Sequence, residues 1–255
     1  MKKELYQKII SKKEFSQLPE EDVEKAFSHF EKRQTSEEEK IRLTRELLHR
    51  VFGAFLSKKL LSLKNKGEEW ILRKHLSTRE RLGFYKEIYK KILNGFGKKV
   101  SIIDLGAGVN GFSYKIFKKI GFDVDYTSIE AIGQLITQMN EYFRKNKLNA
   151  KAIHMSLFDL DKLKEIISKT PEQRVIFLFK IVDSLEMLDR NYSKTLISEI
   201  SPLAEVVVIS FATESMIKRK KFAAKRTWLL EFIKKNFEII GNFEMGHERY
   251  VIFRK

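Results

Sequence analysis

The feature that most constrains this chain is a glycine-rich turn that follows an apolar run, in the segment KVSIIDLGAGVNG at residues 99–111. The apolar run is typical of a buried parallel strand, and a new helical pattern begins after the turn. Gly106, Gly108 and Gly111 let the backbone turn tightly and approach a ligand closely. Because a helix N-terminus offers free N–H groups, the segment predicts a cradle for a nucleotide or cofactor.

Two classes of cofactor fit this turn. Residues 106–111 read GAGVNG, which matches the GxGxxG pattern of dinucleotide sites. Asp104 precedes the first glycine and favours S-adenosylmethionine (AdoMet), since an acid here is usual in AdoMet-dependent methyltransferases, where it helps to hold the methionine end. A tight strand–helix turn without a ligand is the third interpretation, and the turn alone leaves all three open.

Strand and helix patterns alternate after the turn. Further strands are predicted at residues 124–129, 151–155, 175–179 and 206–211. The last 19 residues, FEIIGNFEMGHERYVIFRK, read as an antiparallel hairpin around Met245-Gly246. Five βα units and a closing hairpin predict the α/β, Rossmann-like, seven-stranded class I methyltransferase fold. A dinucleotide-binding domain would usually end on parallel strands, so the hairpin argues against a nicotinamide-dependent oxidoreductase.

The chain before the turn has only helical patterns. We interpret residues 1–75 as a helical RNA-binding domain and residues 76–255 as the AdoMet-dependent methyltransferase domain. Ser36 with Glu39, and Ser77 with Glu80, have the spacing of capping boxes at helix starts. The second of these predicts one helix that runs to the glycines near residue 95.

Composition limits the partners and the chemistry. The 255 residues carry a net charge of +16, which indicates a polyanionic partner such as RNA, although a lysine-rich proteome is the plainer explanation. The absence of cysteine excludes thiol nucleophiles and Cys-ligated zinc, and the five scattered histidines predict no metal site. No apolar run is long enough for a membrane span, and the charged N-terminus is unlike a secretory signal, so we expect a cytoplasmic protein.

The ends of the other strands supply further candidate residues. Glu130 ends the second strand, where its carboxylate can accept hydrogen bonds from both ribose hydroxyls. Ser156 and Leu157 follow the third strand, where an adenine would lie, and Ala107 belongs to the turn itself. Phe179-Lys180 ends the fourth strand and faces the substrate.

The fourth strand end also lacks a motif that would indicate one class of substrate. It reads FKIVDSLE rather than the Asn/Asp-Pro-Pro-aromatic motif common in methyltransferases of exocyclic amines. A target such as guanine N7 has a lone pair and no proton to remove, so alignment alone could supply most of the catalysis. Lys180 would then position the substrate, by orienting or contacting the RNA, and would not act as a base.

A basic cluster follows the fifth strand on the same rim. It is formed by Lys218, Arg219, Lys220, Lys221, Lys225 and Arg226. Basic side chains beside an active site suit phosphate contacts, which give affinity without sequence choice. The cluster therefore predicts RNA binding, with a solvated charged loop as the alternative.

Several linked segments resemble the 16S rRNA (guanine-N7) methyltransferases that confer aminoglycoside resistance by modifying a guanine of the decoding site. The segments are STRERL at 77–82, IIDLGAGVNG at 102–111, LFK at 178–180 with LE at 185–186, SFATES at 210–215, and the closing hairpin. The resemblance covers about residues 75–255. It implies AdoMet as cofactor, 16S rRNA in the small ribosomal subunit as partner, and a contact between Arg79 or Arg81 and the cofactor carboxylate.

The chain also departs from this family. The family's third-strand acid corresponds to Ser156, or to Asp159 after a shift, and its Leu-Asn-Pro is replaced by residues 109–111. Methylation of another RNA, such as a tRNA, or of another base atom stays open. So do a housekeeping role and a non-catalytic, RNA-binding ribosome-assembly factor.

Overall fold

The computed structural model describes residues 1–53, 60, 66–213 and 226–255. Its seven strands are β1 Lys99–Leu105, β2 Asp123–Glu130, β3 Ala150–His154, β4 Arg174–Phe179, β5 Val206–Ala212, β6 Glu238–Met245 and β7 Glu248–Arg254. They form one sheet in the order β3-β2-β1-β4-β5-β7-β6. Neighbours among the first five strands pair in parallel, whereas β7 is antiparallel to both β5 and β6. The predicted parallel sheet with a closing antiparallel hairpin is therefore confirmed.

Helices cover both faces of this sheet. Those of the described residues are α1 Lys3–Ile10, α2 Glu20–Glu31, α3 Glu37–Val51, α4 Glu68–Lys74, α5 Leu76–Arg81, α6 Tyr85–Ile92, α7 Lys115–Lys119, α8 Gly133–Lys145, α9 Leu160–Lys169, α10 Val182–Leu188, α11 Tyr192–Ile200 and α12 Thr227–Asn236. None of these helices is long and apolar enough to cross a membrane. Alternate residues of β1 divide the core, since Ile102 faces α6–α8 and the N-terminal helices, whereas Ile103 faces α9–α12.

The two predicted capping boxes have different outcomes. Ser36 caps α3, because its hydroxyl accepts the Glu39 N–H at 3.2 Å. The prediction at Ser77 is wrong, since α5 begins at Leu76 and the Ser77 hydroxyl instead accepts from Arg81 Nη2 at 2.5 Å. The single predicted helix is two helices, α5 and α6, with a break at residues 82–84.

The N-terminal helices pack against the sheet domain at the carboxyl ends of its strands. His29 Nε2 lies 2.9 Å from the carbonyl oxygen of Leu188 in α10, and Gln134 Nε2 donates to the Lys13 carbonyl at 2.9 Å. Their buried side chains share one apolar cluster with one face of the sheet. This placement brings α2 and α3 over the region where ligands of open α/β sheets bind.

Candidate cofactor site

A cavity lies at the carboxyl ends of β1, β2 and β4. Its floor is the glycine turn at 106–108, and its walls come from the ends of the strands, from α5 and from α10. The N-terminal helices close it from above through Asp22, Val51 and Phe52. The cavity is thus made jointly by the helical segment and the sheet.

The glycine turn requires glycine at two positions. Gly106 and Gly108 have φ values of +67° and +55°, in the left-handed region that side chains disfavour. A Cβ on Gly106 would lie 2.6 Å from Cδ1 of Ile181, and one on Gly108 would lie 3.0 Å from Nε2 of His75. The turn therefore packs directly against two cavity-lining side chains: a methyl group on Gly106 would collide with Ile181, and one on Gly108 would displace His75 by a few tenths of an ångström.

A hydrogen-bonded group surrounds Asp104 at the end of β1. Its Oδ2 accepts from Tyr126 Oη at 2.5 Å and from Asn110 Nδ2 at 2.7 Å. Asn110 Oδ1 in turn accepts from Tyr85 Oη at 2.7 Å. Burial raises the pKa of Asp104, and the hydrogen bonds from Tyr126 and Asn110 offset part of that rise.

Arg81 joins that group to a second one, on β7. Its Nη1 donates to Asn110 Oδ1 at 3.1 Å and its Nε donates to Glu248 Oε2 at 3.0 Å. Glu248 also lies 3.2 Å from the Lys180 ammonium and accepts from the Ser210 hydroxyl. Burial alone would raise the pKa of Glu248, but the positive charges of Arg81 and Lys180 hold it below its usual range. The carboxylate is thereby kept ionised inside the protein.

Lys180 is held on two sides. Its ammonium pairs with Glu80 as well as with Glu248, and only 5% of its side chain is exposed. Its backbone has a φ of +56°, and its N–H donates to the Ser210 carbonyl at 3.2 Å. Lys147, Gln173, Asn191, Arg226 and His247 also have a positive φ, so this conformation by itself does not mark Lys180 as functional. The structure thus buries Lys180 at the cavity wall and gives its ammonium two anionic partners.

Glu130 lies at the end of β2 with both oxygens engaged by the backbone. Oε2 accepts the Gly108 N–H at 2.8 Å, and Oε1 accepts the Ile132 N–H at 3.1 Å. Burial raises its pKa, whereas these N–H groups act in the opposite direction. Each carboxylate oxygen has further lone-pair capacity, so the group can still accept from a ligand hydroxyl.

The imidazole of His75 is buried in the cavity lining, beside Gly108. Burial, with the nearby charges of Arg81 and Lys180, lowers the pKa of His75 to about 3. A neutral ring therefore faces the glycine turn throughout the physiological range. This suits an uncharged contact with a ligand and excludes His75 as a cationic group there.

Comparisons with known proteins agree on one group of enzymes. The chain is 25% identical over 193 residues to the 16S rRNA (guanine(1405)-N(7))-methyltransferase of Proteus mirabilis, and the match covers 71% of this chain but only 63% of that relative, less than two thirds of its length. The crystal structure of 16S rRNA methyltransferase RmtF with S-adenosyl-L-homocysteine superposes with a TM-score of 0.79 over all of both chains, at 18% identity. The 16S rRNA methylase RmtB gives 0.77 at 16% identity, over 99% of this chain and 97% of that one. No family model matches the chain.

The resemblance to the 16S rRNA (guanine-N7) methyltransferases is confirmed. The chain has the fold of the 16S rRNA methylases from end to end, N-terminal helices included. The fold agreement therefore extends beyond residues 75–255, where the sequence segments had suggested it.

Most of the predicted cofactor residues meet in this cavity. It is lined by Arg81, Asp104, Gly106, Ala107, Gly108, Glu130, Leu157, Phe179 and Lys180. Ser156 is buried but does not line it, and its hydroxyl accepts the Phe158 N–H at 3.1 Å. Arg79 is exposed beside a separate groove with Leu82. Of the two arginines considered, the structure thus brings Arg81 to the cavity and leaves Arg79 outside it.

The predicted RNA contact at Arg226 needs correction. Its side chain is 8% exposed, its Nε donates to Asp183 Oδ1 at 2.9 Å, and its guanidinium carbon lies 5.3 Å from the centre of the Phe211 ring. Arg226 thus holds the start of α12 against α10 and does not project from the surface. The other members of the cluster, Lys218, Arg219, Lys220, Lys221 and Lys225, lie outside the described residues.

Sequence reasoning missed several residues of the site. Asn110 had a visible signal, because it is the polar residue within the glycine turn. Glu248 had a weaker one, as an acid that directly precedes an apolar strand run. Asp22 and His75 had none, since each lies far from the turn in sequence and reaches the cavity only through packing.

Proposed function

We propose that this protein is an AdoMet-dependent RNA methyltransferase whose target is guanine N7 of small-subunit (16S) rRNA. The observation that carries the proposal is the convergence of the glycine turn, Asp104 and Glu130 on one cavity, in a fold whose relative RmtF holds S-adenosyl-L-homocysteine. Because the substrate would be ribosomal RNA, we place the protein in the cytoplasm.

The charges of the cavity fit the cofactor. The methionine end of AdoMet carries an ammonium and a carboxylate, and the cavity offers the carboxyl of Asp104 beside the guanidinium of Arg81. Arg81 uses three of its five N–H groups on Glu248, Asn110 and Ser77, which leaves two for a ligand carboxylate. Glu130 would accept from the ribose hydroxyls. When bound, AdoMet supplies a methyl group on a positively charged sulfur.

The fourth strand end would then present the target base. Phe179 packs under Arg81, whose guanidinium carbon is 4.8 Å from the ring centre. Lys180, fixed by Glu80 and Glu248, would position the base next to the methyl group. Guanine N7 needs no proton removed, so this alignment would supply most of the rate acceleration. The name of the Proteus relative supports this atom as the target.

The RNA would be gripped by parts of the chain outside the cavity. We assign this role to the helical segment at residues 1–75 and to the cluster that begins at Lys218, in a chain with a net charge of +16. Lys218→Glu combined with Arg219→Glu should weaken RNA binding and lower the salt dependence by about two ions, with unchanged affinity for S-adenosylhomocysteine. RNA binding equal to wild type across a salt series would remove the cluster from the footprint.

Two measurements test the proposal as a whole. Calorimetry should show binding of S-adenosylhomocysteine, and its absence at tens of micromolar would favour a non-catalytic RNA-binding factor. Incubation with labelled AdoMet should then methylate small ribosomal subunits or 16S rRNA, with the label mapped to N7 of one guanine. Labelling of tRNA instead, or of another atom, would keep the methyltransferase and replace its substrate.

A further inference from the structure

Asp22, in the first turn of α2, is a buried carboxyl group that the proposed chemistry does not yet use. It is 3% exposed, lines the cavity, and its Oδ2 has no hydrogen-bond partner among the described residues. Burial raises its pKa to about 7, although the neighbouring Ser156 hydroxyl acts to lower it. Buried polar groups are nearly always hydrogen-bonded, so an orphan oxygen that faces a cavity indicates a missing partner.

Asp22 lies at one end of the cavity, next to the residues that follow β3. Its carboxyl interacts with the charge of Glu130, at the end of β2, and with the hydroxyl of Ser156, which follows β3. The cavity walls on this side are apolar: Ile132, Leu135, Leu157, Phe158 and Leu188. Apolar walls with a carboxyl at their edge suit a flat heteroaromatic ring that carries a hydrogen-bond donor on its rim.

We propose that Asp22 accepts a hydrogen bond from the 6-amino group of the cofactor's adenine, so that the N-terminal helices complete the adenine subsite. This inference rests on the proposed function. The 6-amino group is the donor on the exposed edge of adenine, whose ring nitrogens there only accept. An acceptor at this place is therefore the group that a purine with this edge requires.

The other polar groups at this end are less suited to the role. Both oxygens of Glu130 already accept backbone N–H groups, and the Ser156 hydroxyl accepts that of Phe158. Asp159 caps α9 and pairs with Lys162. Among the described residues at this end, Asp22 has a carboxyl oxygen that accepts no hydrogen bond.

A binding experiment on the full chain tests the contact directly. Calorimetry would compare S-adenosylhomocysteine with its 6-deamino analogue, in which hydrogen replaces the amino group, for wild type, Asp22→Ala and Asp22→Asn. At pH 8, where the Asp22 carboxyl is mostly ionised, wild type should prefer the amino form by about 10- to 100-fold, as expected for a buried hydrogen bond to a charged group. Asp22→Ala should lose that preference, with little change for the deamino analogue. Glu21→Ala, an exposed neighbour on the same helix, is the control and should behave as wild type.

Each other outcome overturns a specific statement. If Asp22→Ala loses the same factor of affinity for both ligands, Asp22 only supports the fold. An unchanged preference would remove it from the adenine subsite. If Asp22→Ala does not fold, Asp22→Asn decides, because a neutral acceptor should reduce the preference and an unchanged preference contradicts the contact. Failure of wild type to bind S-adenosylhomocysteine at all would instead overturn the proposed function.

Discussion

The two ends of the cavity differ in how their buried charges are paired. At the end beside β1 and β7, Asp104, Arg81 and Glu248 form a continuous chain of hydrogen bonds and ion pairs. At the end beside β3, Asp22 is equally buried but keeps one oxygen without a partner among the described residues. At the first end each buried charge thus has a partner of opposite charge or a hydrogen bond within the protein, whereas at the second end an oxygen of Asp22 remains available to a ligand.

This difference has an energetic meaning. A satisfied polar network holds its side chains in one arrangement, so a ligand that binds there pays little to order them. An unsatisfied buried group costs stability until a ligand pairs with it, and that cost returns as affinity and selectivity. Variants at the β1–β7 end should therefore reduce stability most, and variants at the β3 end should raise it.

The largest expected effect is at Glu248. Glu248→Ala leaves the buried charges of Arg81 and Lys180 without their shared carboxylate, which should cost about 3–5 kcal/mol in the free energy of unfolding. Urea denaturation measures this loss. Glu238→Ala is the matched control, because Glu238 pairs with Arg254 in the same hairpin but at the surface. Similar stability of the two variants would contradict the difference between buried network and surface pair.

The next effect is a pH dependence at Asp22. Its folded pKa of about 7 exceeds the ordinary 3.8, so the folded state binds more protons between these values and its stability falls as pH rises through that window. Asp22→Asn should remove this loss and be more stable than wild type at pH 8, by on the order of 2–4 kcal/mol, but not at pH 4.

Urea unfolding of the ligand-free wild type and Asp22→Asn at pH 4 and pH 8 measures this difference in stability. Asp104 and Glu130, whose pKa values burial also raises, act in the same direction in both proteins and cancel in the comparison. Lys25, Glu21 and Tyr192 also lie around Asp22 and remain unchanged in the variant. Parallel pH profiles for wild type and Asp22→Asn would show that Asp22 does not titrate in this window.

A third prediction concerns ligand binding at the β1–β7 end of the cavity. Asp104→Asn keeps an acceptor for Tyr126 and Asn110 but removes the negative charge proposed to face the methionine ammonium. Affinity for S-adenosylhomocysteine should fall by about 100-fold, as expected for a lost charged hydrogen bond, with a smaller change in stability. Asp123→Asn, at the exposed amino end of β2, should leave calorimetric affinity unchanged. Wild-type affinity in Asp104→Asn would place the ammonium elsewhere.

The smallest effect compares two buried tyrosines. Tyr126→Phe removes the hydroxyl bonded to Asp104, and Tyr114→Phe removes one bonded to the Val124 carbonyl away from the cavity. Each should cost about 1 kcal/mol of unfolding free energy. Calorimetry should show weaker cofactor binding for Tyr126→Phe and unchanged binding for Tyr114→Phe. Equal binding by both variants would mean that the network around Asp104 does not tune the site.

Much of the fold followed from local patterns. The strand at Lys99–Leu105, the strand at Val206–Ala212 and the closing hairpin matched their predictions, because periodicity and turn residues determine such elements locally. The glycine turn, Asp104 and Glu130 were predictable for a related reason, since strand ends of a parallel sheet share one edge. The choice between Arg79 and Arg81 was not, because it depends on which way each side chain of α5 points once α5 has packed.

The sequence by itself determined the class of the fold, the place of the cofactor turn and the resemblance to a group of RNA-modifying enzymes. The tertiary structure decided what surrounds that turn: Glu248 beside Arg81, and Asp22 above the end of β3. The physical reason is that a turn or a strand is set by neighbours in sequence, whereas the cost of a buried charge depends on groups more than 100 residues away, as for Arg81 and Glu248 with a separation of 167.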